Sequence, residues 1–309
     1  MTHIIILNWN GGNDTWHCIE SVLNLDDVHI CLLDNNSTDD SLEYVRRQLD
    51  AAGIAFTGVR LDALDGLATS PTIISIIQSP ENLGFAKGIN YILRPLLRAG
   101  TDYIWLLNND AIAAGATLAS LLEMMYSDDS LGFVGSAILD GRNTDLVQCC
   151  GVRYYKWLGV AKMQWKDRLW KTLDKAEVSN NRTDFQHGAS LLVRASILES
   201  VGLLDEHFFL YSEEHDWQER AEKLGYRNKL CVDSVVYHKG SMSTDSRKYL
   251  FFYHYCKSSV LFSRKHHPGI TALVATICLT GITVLRTRLN MKSMQWALKG
   301  IREGWRVVI

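Results

Sequence analysis

The stretch Tyr103–Asp110 reads YIWLLNND, an apolar strand-like run that ends in three polar residues favoured in turns. Three earlier apolar runs have the same form: Ile4–Leu7, Val28–Leu33 and Ile73–Gln78 are each followed by a polar loop and then by helical spacing. Strands that alternate with helices in this way predict an α/β fold, with a mostly parallel central sheet flanked by helices. The longer interval between residues 53 and 72 predicts a loop insertion.

Polar residues at the ends of the predicted strands are the first indication of an active site. The Asn-Asn-Asp of 108–110 ends one strand, and His238 ends another, Val232–Tyr237. Between them, Glu213–Asp216 places three carboxylates and a histidine in four consecutive positions. A solvated acidic turn would give the same composition, but polar groups at several strand ends of an α/β sheet converge on one crevice. The sequence therefore predicts an active site built from these three segments.

Composition restricts the class of partner and the way in which phosphate is held. The 309 residues carry a formal net charge of −2, with no basic run before the C-terminal third, so nucleic acid is not an expected partner. Neither GxGxxG nor GxxxxGK[ST] occurs, so a phosphate group needs another ligand. A carboxylate at a strand end, such as Asp110, can bind a divalent cation that bridges a diphosphate. The cysteines lack CxxC spacing and the N-terminus lacks the features of a signal peptide, which together predict a reducing cytosol.

The segment 140–184 has a weak secondary-structure pattern. It interleaves charged residues with aromatic ones, which are Tyr154, Tyr155, Trp157, Trp165 and Trp170. Packing in the core or in a lid is the more common role of such a segment, so we expect that role rather than a platform for a ligand.

Eight segments along the chain together resemble the motifs of the family 2 glycosyltransferases. In order, they are Ile4–Asn10, Asp34–Ser37, Asn82–Gly88, Leu106–Ala111, Gly188–Ser190 with Arg194, Gly202–Glu206, Phe208–Asp216 and His238–Ser241. The Leu-Asn-Asn-Asp of 107–110 is most similar to the rhamnosyltransferase-like branch, whereas other branches carry Asp-x-Asp. The ordered resemblance spans residues 3–265. It implies a GT-A fold and a metal-dependent, inverting transfer of a sugar from a nucleotide diphosphate.

The resemblance also implies roles for the carboxylates of the acidic stretch. An inverting displacement needs a base for the incoming hydroxyl and an electrophile for the departing diphosphate. The family usually reads Glu-Asp-x-Asp here, with the second carboxylate as the base. Glu214 is therefore the implied base, and its extra methylene is a departure from the pattern. Glu213 or Asp216 could serve instead, and Asp216 is expected to orient an acceptor hydroxyl or to cap the following helix.

Donor and metal contacts are implied in the same way. Asp110 and His238 match positions that bind Mg²⁺ or Mn²⁺. The implied nucleotide-sugar contacts are Asn8, Asp34, Asn36, Lys87, Asn108 and Asn109. Of these, Asp34 would recognise the base or the ribose, Asn109 would face the ribose or diphosphate, and Lys87 could equally be an exposed helix lysine. The polar stretch Ser241–Lys248 suits a lid, and Lys257-Ser258 stands where relatives commonly have Arg-Asn.

The C-terminal residues combine an apolar run with basic residues. Ile270–Leu285 carries no charge but is shorter than the roughly 20 residues of a bilayer span. Basic residues follow it, together with Trp296 and Trp305. This pattern favours a helix that lies on a membrane surface, with core or oligomer packing as the second interpretation and a true span as the third. The predicted parts are a nucleotide-sugar-binding half (1–110), an acceptor-binding half (111–250) and a basic, amphipathic helical extension (251–309).

The sequence thus predicts a hexosyltransferase held at the cytoplasmic face of the cell membrane. The resemblance favours transfer of L-rhamnose from dTDP-L-rhamnose to a growing cell-surface glycan, such as O-antigen, that is carried on a polyprenyl diphosphate. UDP-glucose, UDP-galactose and UDP-galactofuranose are alternative donors. The alternative classes are a nucleotidyltransferase and a catalytically inactive protein that binds a sugar nucleotide or a glycan as the partner of another transferase. The sequence also allows the protein to form a homo-oligomer.

Overall fold

Five parallel strands form the first half of the central sheet in the computed structural model, which describes residues 1–60, 64, 67, 73–240, 248–287 and 290–309. These strands are β1 (Thr2–Asn8), β2 (Val28–Asp34), β3 (Phe56–Arg60), β4 (Ile74–Gln78) and β5 (Tyr103–Leu107), in the order β3-β4-β2-β1-β5. β1, β2 and β4 are almost wholly buried, as expected of parallel strands that are covered on both faces. The predicted loop insertion is wrong for residues 56–60, which form β3, while most of 61–72 lies outside the described residues.

The second half of the sheet mixes parallel and antiparallel strands. It contains β6 (Ala111–Ala113), β7 (Leu131–Asp140), β8 (Val147–Cys149), β11 (Ser190–Arg194) and β12 (Arg227–His238), while β9 (Val152–Tyr155) and β10 (Val160–Met163) form a separate hairpin. The order continues β5-β11-β7-β12-β6, with β8 beside β7. β11 is antiparallel to both β5 and β7, whereas β12 is parallel to β7. The sheet is therefore parallel up to β5, as predicted, and mixed beyond it.

The helices that accompany the sheet begin at positions that differ from the prediction in three cases. They are α1 (Gly12–Glu20), α2 (Ser41–Ala51), α3 (Gly84–Arg98), α4 (Thr117–Tyr126), α5 (Lys175–Asn180), α6 (Leu198–Val201) and α7 (Glu213–Lys223). Asp14 and Thr15 are residue types that favour helix caps, and the sequence predicts one of them as the cap of the first helix, but α1 begins ahead of both, at Gly12. The spacing of residues 112–126 predicts a helix, but α4 begins five residues later, at Thr117, because 111–113 pairs with β12 as an edge strand. α7 begins at Glu213, so the acidic stretch forms its first turn.

Three further helices form the C-terminal extension: α8 (Lys248–His266), α9 (Gly269–Arg286) and α10 (Met291–Arg306). Cys256 and Val260 of α8 share one hydrophobic cluster with Leu279 of α9 and Ile301 of α10. Val160 of β10 belongs to the same cluster. The extension is therefore packed against the hairpin of β9 and β10.

An ion cluster attaches α8 to α7. Asp216 is fully buried, and its carboxylate lies 2.9 Å from Arg220 Nε, 2.7 Å from Lys265 Nζ and 2.7 Å from His266 Nε2. Burial raises the pKa of Asp216, but the hydrogen bond from His266 and the charges of Arg220 and Lys265 outweigh burial and hold that pKa below its usual range. The cluster holds the two helices together only as a complete set, because loss of one partner leaves a buried charge uncompensated.

The outer face of α9 is apolar and exposed. Ile270, Leu273, Ile277 and Leu285 have 65%, 49%, 63% and 77% of their surface exposed. Among the described residues, α9 is the one helix whose length and composition would allow it to cross a membrane, and only 28% of it is buried. The interpretation of 270–285 as a core helix therefore accounts for its inner face, with Leu279, and not for its outer face.

Candidate active site

One hydrogen-bonded network joins the ends of β1, β2 and β5, with Asn8 at its centre. Asn8 Nδ2 donates to Asp34 Oδ1 at 2.8 Å and to Ser37 Oγ at 3.1 Å. Asn8 Oδ1 accepts from Thr15 Oγ1 at 2.8 Å and from Asn109 Nδ2 at 3.3 Å. Because a side-chain amide has two N–H donors and two acceptor lone pairs, these four bonds occupy every hydrogen-bonding position of the Asn8 side chain. Asn8 therefore positions Asp34 and Asn109, and a direct contact with a nucleotide would have to replace one of its bonds.

Asp34 is buried at the end of β2 and keeps one acceptor position. Ser37 Oγ donates to Asp34 Oδ1 at 2.6 Å, and the Ser37 N–H donates to Asp34 Oδ2 at 3.1 Å. With the bond from Asn8, three of the roughly four acceptor positions of the carboxylate are occupied. The remaining position on Oδ2 suits an N–H or O–H of a nucleoside, which is the role that the family resemblance implies.

The side chain of Asn109 lies close to Gly11 in the loop after β1. Asn109 Nδ2 donates to Thr15 Oγ1 at 3.0 Å. A Cβ atom on Gly11 would lie 2.7 Å from Asn109 Nδ2, which is too close for non-bonded atoms. Gly11 therefore leaves room for the side chain of Asn109, while Gly12 leaves room for the backbone of Ser41.

Three other predicted donor contacts surround this network. Asn36 follows Asp34 by two residues and has a left-handed backbone, with φ of 61°. Asn108 Nδ2 lies 3.3 Å from His238 Nε2. Lys87 pairs with Glu81 at 3.4 Å on the exposed side of α3, so its contact with a nucleotide stays a prediction.

Asp110 and His238, the predicted metal pair, are adjacent. Asp110 Oδ1 lies 3.1 Å from His238 Nε2. On the other side of the ring, Nδ1 lies 2.6 Å from Gln148 Oε1, while Gln148 Nε2 donates to the His238 carbonyl at 3.3 Å. That second bond turns the amide oxygen of Gln148 towards the ring, so Nδ1 carries a proton and Nε2 faces Asp110. Burial raises the pKa of Asp110, but when the ring of His238 also carries a proton on Nε2, its hydrogen bond and charge outweigh burial and lower that pKa.

This pair fits a divalent cation. With Nδ1 protonated, a neutral His238 presents the Nε2 lone pair beside a carboxylate oxygen of Asp110, a donor set that suits Mn²⁺ or Mg²⁺. Within the described residues, no third Asp, Glu, His or Cys joins the two in a group that could hold a metal. The remaining ligands would therefore be phosphate oxygens and water, as is usual for Mg²⁺ at a diphosphate.

A short segment before β11 connects the metal pair to the predicted base. The rings of His187 and His238 have centroids 5.9 Å apart. A Cβ atom on Gly188 would lie 3.5 Å from Glu214 Cγ, which is ordinary contact distance. Burial, followed by the charge of His238, lowers the pKa of His187 to about 3, so His187 is neutral at physiological pH. Two neutral residues thus separate Asp110 and His238 from Glu214.

Glu213 and Glu214 form the first turn of α7, but their surroundings differ. Glu213 is buried, and burial, followed by the charge of Glu214, raises its pKa well above the ordinary value. Burial also raises the pKa of Glu214, but the backbone N–H groups of Glu214, Gly188 and His215 oppose that shift. In each side chain, Oε2 is buried without a hydrogen-bond partner among the described residues. Of the two carboxyl groups, Glu213 therefore has the more strongly raised pKa and holds its proton more tightly, which is compatible with the predicted role of Glu214 as the base.

The next two residues of α7 contribute to packing. The His215 ring is stacked between Phe185 and Phe262, with centroid distances of 4.0 Å and 3.7 Å. The alternative that Asp216 caps the helix is wrong, because α7 begins three residues earlier. Both carboxylate oxygens of Asp216 belong to the ion cluster with α8, so its contact with an acceptor stays a prediction and would compete with those partners.

Several residues of the site were not predicted. Gln148 lies in the segment with a weak pattern, and nothing in the sequence singles it out. His187 directly precedes the Gly-Ala-Ser motif, and this position could have identified it. Lys239 pairs with Asp14 of α1, and its N–H donates to the Asp110 carbonyl at 3.1 Å. The predicted lid falls on residues 241–247, which lie outside the described residues.

A family model matches most of the fold described above. The model described as glycosyl transferase family 2 matches residues 3–202. The matched part runs from β1 to α6, so it contains Asn8, Asp34 and Asp110 and ends before α7.

Individual relatives and solved structures agree with this match. An N-acetylglucosaminyl-diphospho-decaprenol L-rhamnosyltransferase of Mycobacterium tuberculosis is 30% identical over 134 residues, which cover 42% of this chain and 43% of that protein. The chain therefore matches less than half the length of this relative. Mannosyltransferase PcManGT from Pyrobaculum calidifontis, solved with GDP-Man and Mn²⁺, is 14% identical with a TM-score of 0.55 over 100% of this chain and 76% of that chain. GalNAc-T7, solved with UDP, GalNAc and Mn²⁺, is 14% identical with a TM-score of 0.57 over 98% of this chain and 56% of that chain. At such identities the structures show the fold, and they confirm the predicted GT-A fold.

The raised pKa of Glu213 predicts a pH-dependent gain in stability on its neutralisation. A carboxyl whose pKa is raised on folding favours the folded state at low pH, and it loses that contribution as pH rises through the folded-state pKa. Glu213→Gln mimics the protonated form, so we expect a higher melting temperature than that of the unaltered protein at pH 8 and a smaller difference at pH 5. Thermal unfolding across this pH range measures the effect. The exposed Glu43→Gln on α2 is the control, and a difference for Glu213→Gln that does not change with pH would contradict the assignment.

Proposed function

Because the chain belongs to glycosyl transferase family 2, we propose that it moves a sugar from a nucleotide diphosphate to an acceptor hydroxyl with inversion, using a divalent metal. The observation that carries this proposal is the short path from Asp110 and His238, through His187 and Gly188, to Glu214. Such a reaction needs charge stabilisation at the leaving group and a base at the incoming hydroxyl. This proximity supports the proposal, because residues of the types that each requirement needs lie on neighbouring segments.

In the proposed reaction, Glu214 takes the proton of the attacking hydroxyl. The hydroxyl oxygen forms the new bond to the anomeric carbon while the bond from that carbon to the diphosphate oxygen breaks, and its electron pair leaves with the diphosphate. Asp110 and His238 would hold Mg²⁺ or Mn²⁺, which when bound supplies positive charge for the departing diphosphate. Glu213 stays protonated, so a second buried charge does not oppose the ionised Glu214. Asp34 would hold the nucleoside through its free acceptor position.

We propose dTDP-L-rhamnose as the donor and a glycan on a polyprenyl diphosphate as the acceptor. Support comes from the Leu-Asn-Asn-Asp of 107–110 and from the Mycobacterium tuberculosis relative, whose name describes L-rhamnosyl transfer with a decaprenol-linked diphosphate. UDP-glucose, UDP-galactose and UDP-galactofuranose are the alternative donors. The product in this proposal is a cell-surface polysaccharide such as O-antigen.

The exposed face of α9 supports a further proposal, that the protein lies on the cytoplasmic face of the cell membrane. Its exposed residues from Ile270 to Leu285 are apolar, while the opposite face packs on α8 and α10 through Leu279. Because the inner face is occupied in this way, contact along the membrane surface suits α9 better than a span. α10 exposes cations that suit anionic headgroups, and these are Lys292, Lys299, Arg302 and Arg306.

Nucleotide selectivity tests the proposed donor. We expect dTDP with Mn²⁺ to raise the melting temperature more than UDP or GDP does, because the proposed donor is a dTDP sugar. The shift should be easy to measure, since a ligand at 100 times its dissociation constant adds about 2.7 kcal/mol to the free energy of unfolding. Asp110→Asn should remove the Mn²⁺-dependent part of the shift. A shift that is larger for UDP would favour the alternative hexoses. If the purified protein with Mn²⁺ turns over no nucleotide sugar, even with membrane extracts as acceptor, a non-enzymatic binding role would be supported instead.

Substitution of Glu214 by glutamine tests its role as the base. Glu214→Gln cannot accept the proton of the incoming hydroxyl, so we expect a loss of sugar transfer of about 10²–10⁴-fold. The affinity for dTDP and Mn²⁺, measured by calorimetry, should stay the same because Glu214 lies on the acceptor side. Glu222→Gln, at an exposed position of the same helix, is the matched control. If Glu214→Gln kept full sugar transfer, Glu214 would be excluded as the base. A nucleotidyltransferase would not need this carboxylate, so loss of sugar transfer with nucleotide binding intact would exclude that alternative.

Membrane contact is tested by placing a charge on the outer face of α9. We expect Ile277→Asp to weaken sedimentation with vesicles of phosphatidylglycerol and phosphatidylcholine about tenfold or more, because burial of one Ile side chain contributes about 1.5–3 kcal/mol. Leu224→Asp, at the exposed end of α7, is the control. Equal sedimentation of the two variants, or no sedimentation of the unaltered protein at low salt, would show that α9 does not contact lipid.

A further inference from the structure

A cationic cleft lies beside the hairpin of β9 and β10, outside the crevice described above. The cleft has a volume of about 490 Å³. Five of its lining side chains are cations, and among the described residues none of the lining side chains is acidic; the cations are Arg153, Lys162, Lys166, Arg168 and Arg182. The side chains of Tyr155 and Trp165 also line the cleft.

The charges of this cleft are poorly compensated. Arg153 and Lys162 lie directly opposite each other in the hairpin, and like charges at such paired positions are destabilising. Asp184 is shared by two of the cations, at 3.4 Å from Arg153 Nε and 3.9 Å from Arg182 Nε. Within the described part of the chain, the other three cations of the cleft form no ion pair with an acidic side chain. A bound anion would offset this repulsion.

The loop that carries two of these cations has a constrained backbone. Trp165 and Asp167 have positive φ angles of 61° and 63°, a conformation that costs free energy in residues other than glycine. The loop is held in place by the bond from the Asp167 N–H to the Val147 carbonyl at 2.8 Å. The indole N–H of Trp165 is buried without a hydrogen-bond partner among the described residues. Lys166 and Arg168 are therefore presented by a fixed loop.

Segments that line or contact the cleft lead to the proposed base in one direction and to α9 in the other. Asp184, which contacts Arg153, precedes Gly188 by four residues, so an extended chain can separate them by at most about 14 Å. In the other direction, the hairpin turn packs on α9, since a Cβ on Gly159 would lie 3.1 Å from the Ala275 carbonyl oxygen. Trp157, in the same turn, has half of its surface exposed.

We propose that this cleft binds the diphosphate of a lipid-linked acceptor, with the lipid chain leaving along α9 and the sugar extending towards Glu214. A diphosphate needs several cations at short range, and a concave site with aromatic walls suits a discrete glycosyl diphosphate better than a flat lipid surface. This inference rests on the proposed function for its acceptor. It adds a subsite to that function, formed by a segment that precedes α7 and contains no predicted site residue.

Binding of decyl diphosphate tests the subsite without turnover. Calorimetry is performed with the full chain in saturating dTDP and Mn²⁺, so that the nucleotide site is occupied. We expect Lys162→Glu to weaken the binding of decyl diphosphate about tenfold. Lys162→Arg keeps the charge, so it should bind as the unaltered protein does. Arg47→Glu, on the exposed face of α2, is the control and should leave the binding unchanged. Binding of the neutral decyl N-acetylglucosaminide should be the same in all four proteins. A melting temperature equal to that of the unaltered protein shows that each variant is folded.

Three outcomes would overturn the subsite. The first is equal affinity of Lys162→Glu and the unaltered protein for decyl diphosphate. The second is a loss confined to phosphatidylglycerol vesicles, which would make the cations part of the membrane contact. The third is an equal loss for inorganic pyrophosphate and decyl diphosphate with no loss in transfer to a lipid-linked acceptor, which would assign the cleft to a free anion. Since decyl diphosphate binding does not depend on transfer, failure of the subsite and failure of the proposed enzyme activity remain distinguishable.

Discussion

The antiparallel pairing of β11 with β5 determines which groups can meet at the site. Ser190 lies opposite Leu107, so the residues that enter β11 run beside those that leave β5. The bond from the Asn108 N–H to the Ala189 carbonyl, 3.0 Å long, extends this pairing beyond the strands. Had β11 been parallel to β5, its entry would lie at the opposite end of the sheet from Asp110. The reversal of one strand therefore brings Asp110 to the same end of the sheet as Gly188 and the neighbouring Glu214.

The first turn of α7 shows how burial and partners separate neighbouring carboxylates. Successive residues of a helix point in different directions, so three acidic residues within four positions meet different surroundings. Glu213 is buried beside another carboxylate and has a raised pKa. Asp216 is equally buried but faces Arg220 and Lys265, and its pKa is lowered. Backbone N–H groups near Glu214 oppose the effect of burial, so the pKa of Glu214 is raised less strongly than that of Glu213.

The sequence was sufficient for β1, β2, β4 and β5 of the parallel half and for the ends of these strands, because buried parallel strands read as continuous apolar runs followed by polar loops. It missed the edge strand β3, whose residues are only partly buried. It was not sufficient where pairing with a distant segment decides the structure. Ala111–Ala113 is a strand only because β12 lies beside it, and the sequence predicted a helix there. Gln148 fixes the ring of His238 from 90 residues away, which no local pattern can show. The start of α7 was missed because acidic residues, which favour the first turn of a helix, also favour loops.

The packing of the C-terminal extension limits the orientations in which the protein could meet the proposed lipid-linked acceptor. A flexible tether would allow the crevice to take any orientation and height relative to the membrane. Here Val160 of the hairpin shares one cluster with Cys256, Leu279 and Ile301, so α8, α9 and α10 are fixed against the hairpin that carries the cationic cleft. The buried Asp216 cluster fixes α8 in turn against the helix that carries Glu214. If α9 lies on the membrane, the height of the base above the lipid surface is set by packed contacts. The distance from the diphosphate to the attacking hydroxyl would then be one of the properties by which the enzyme selects its acceptor.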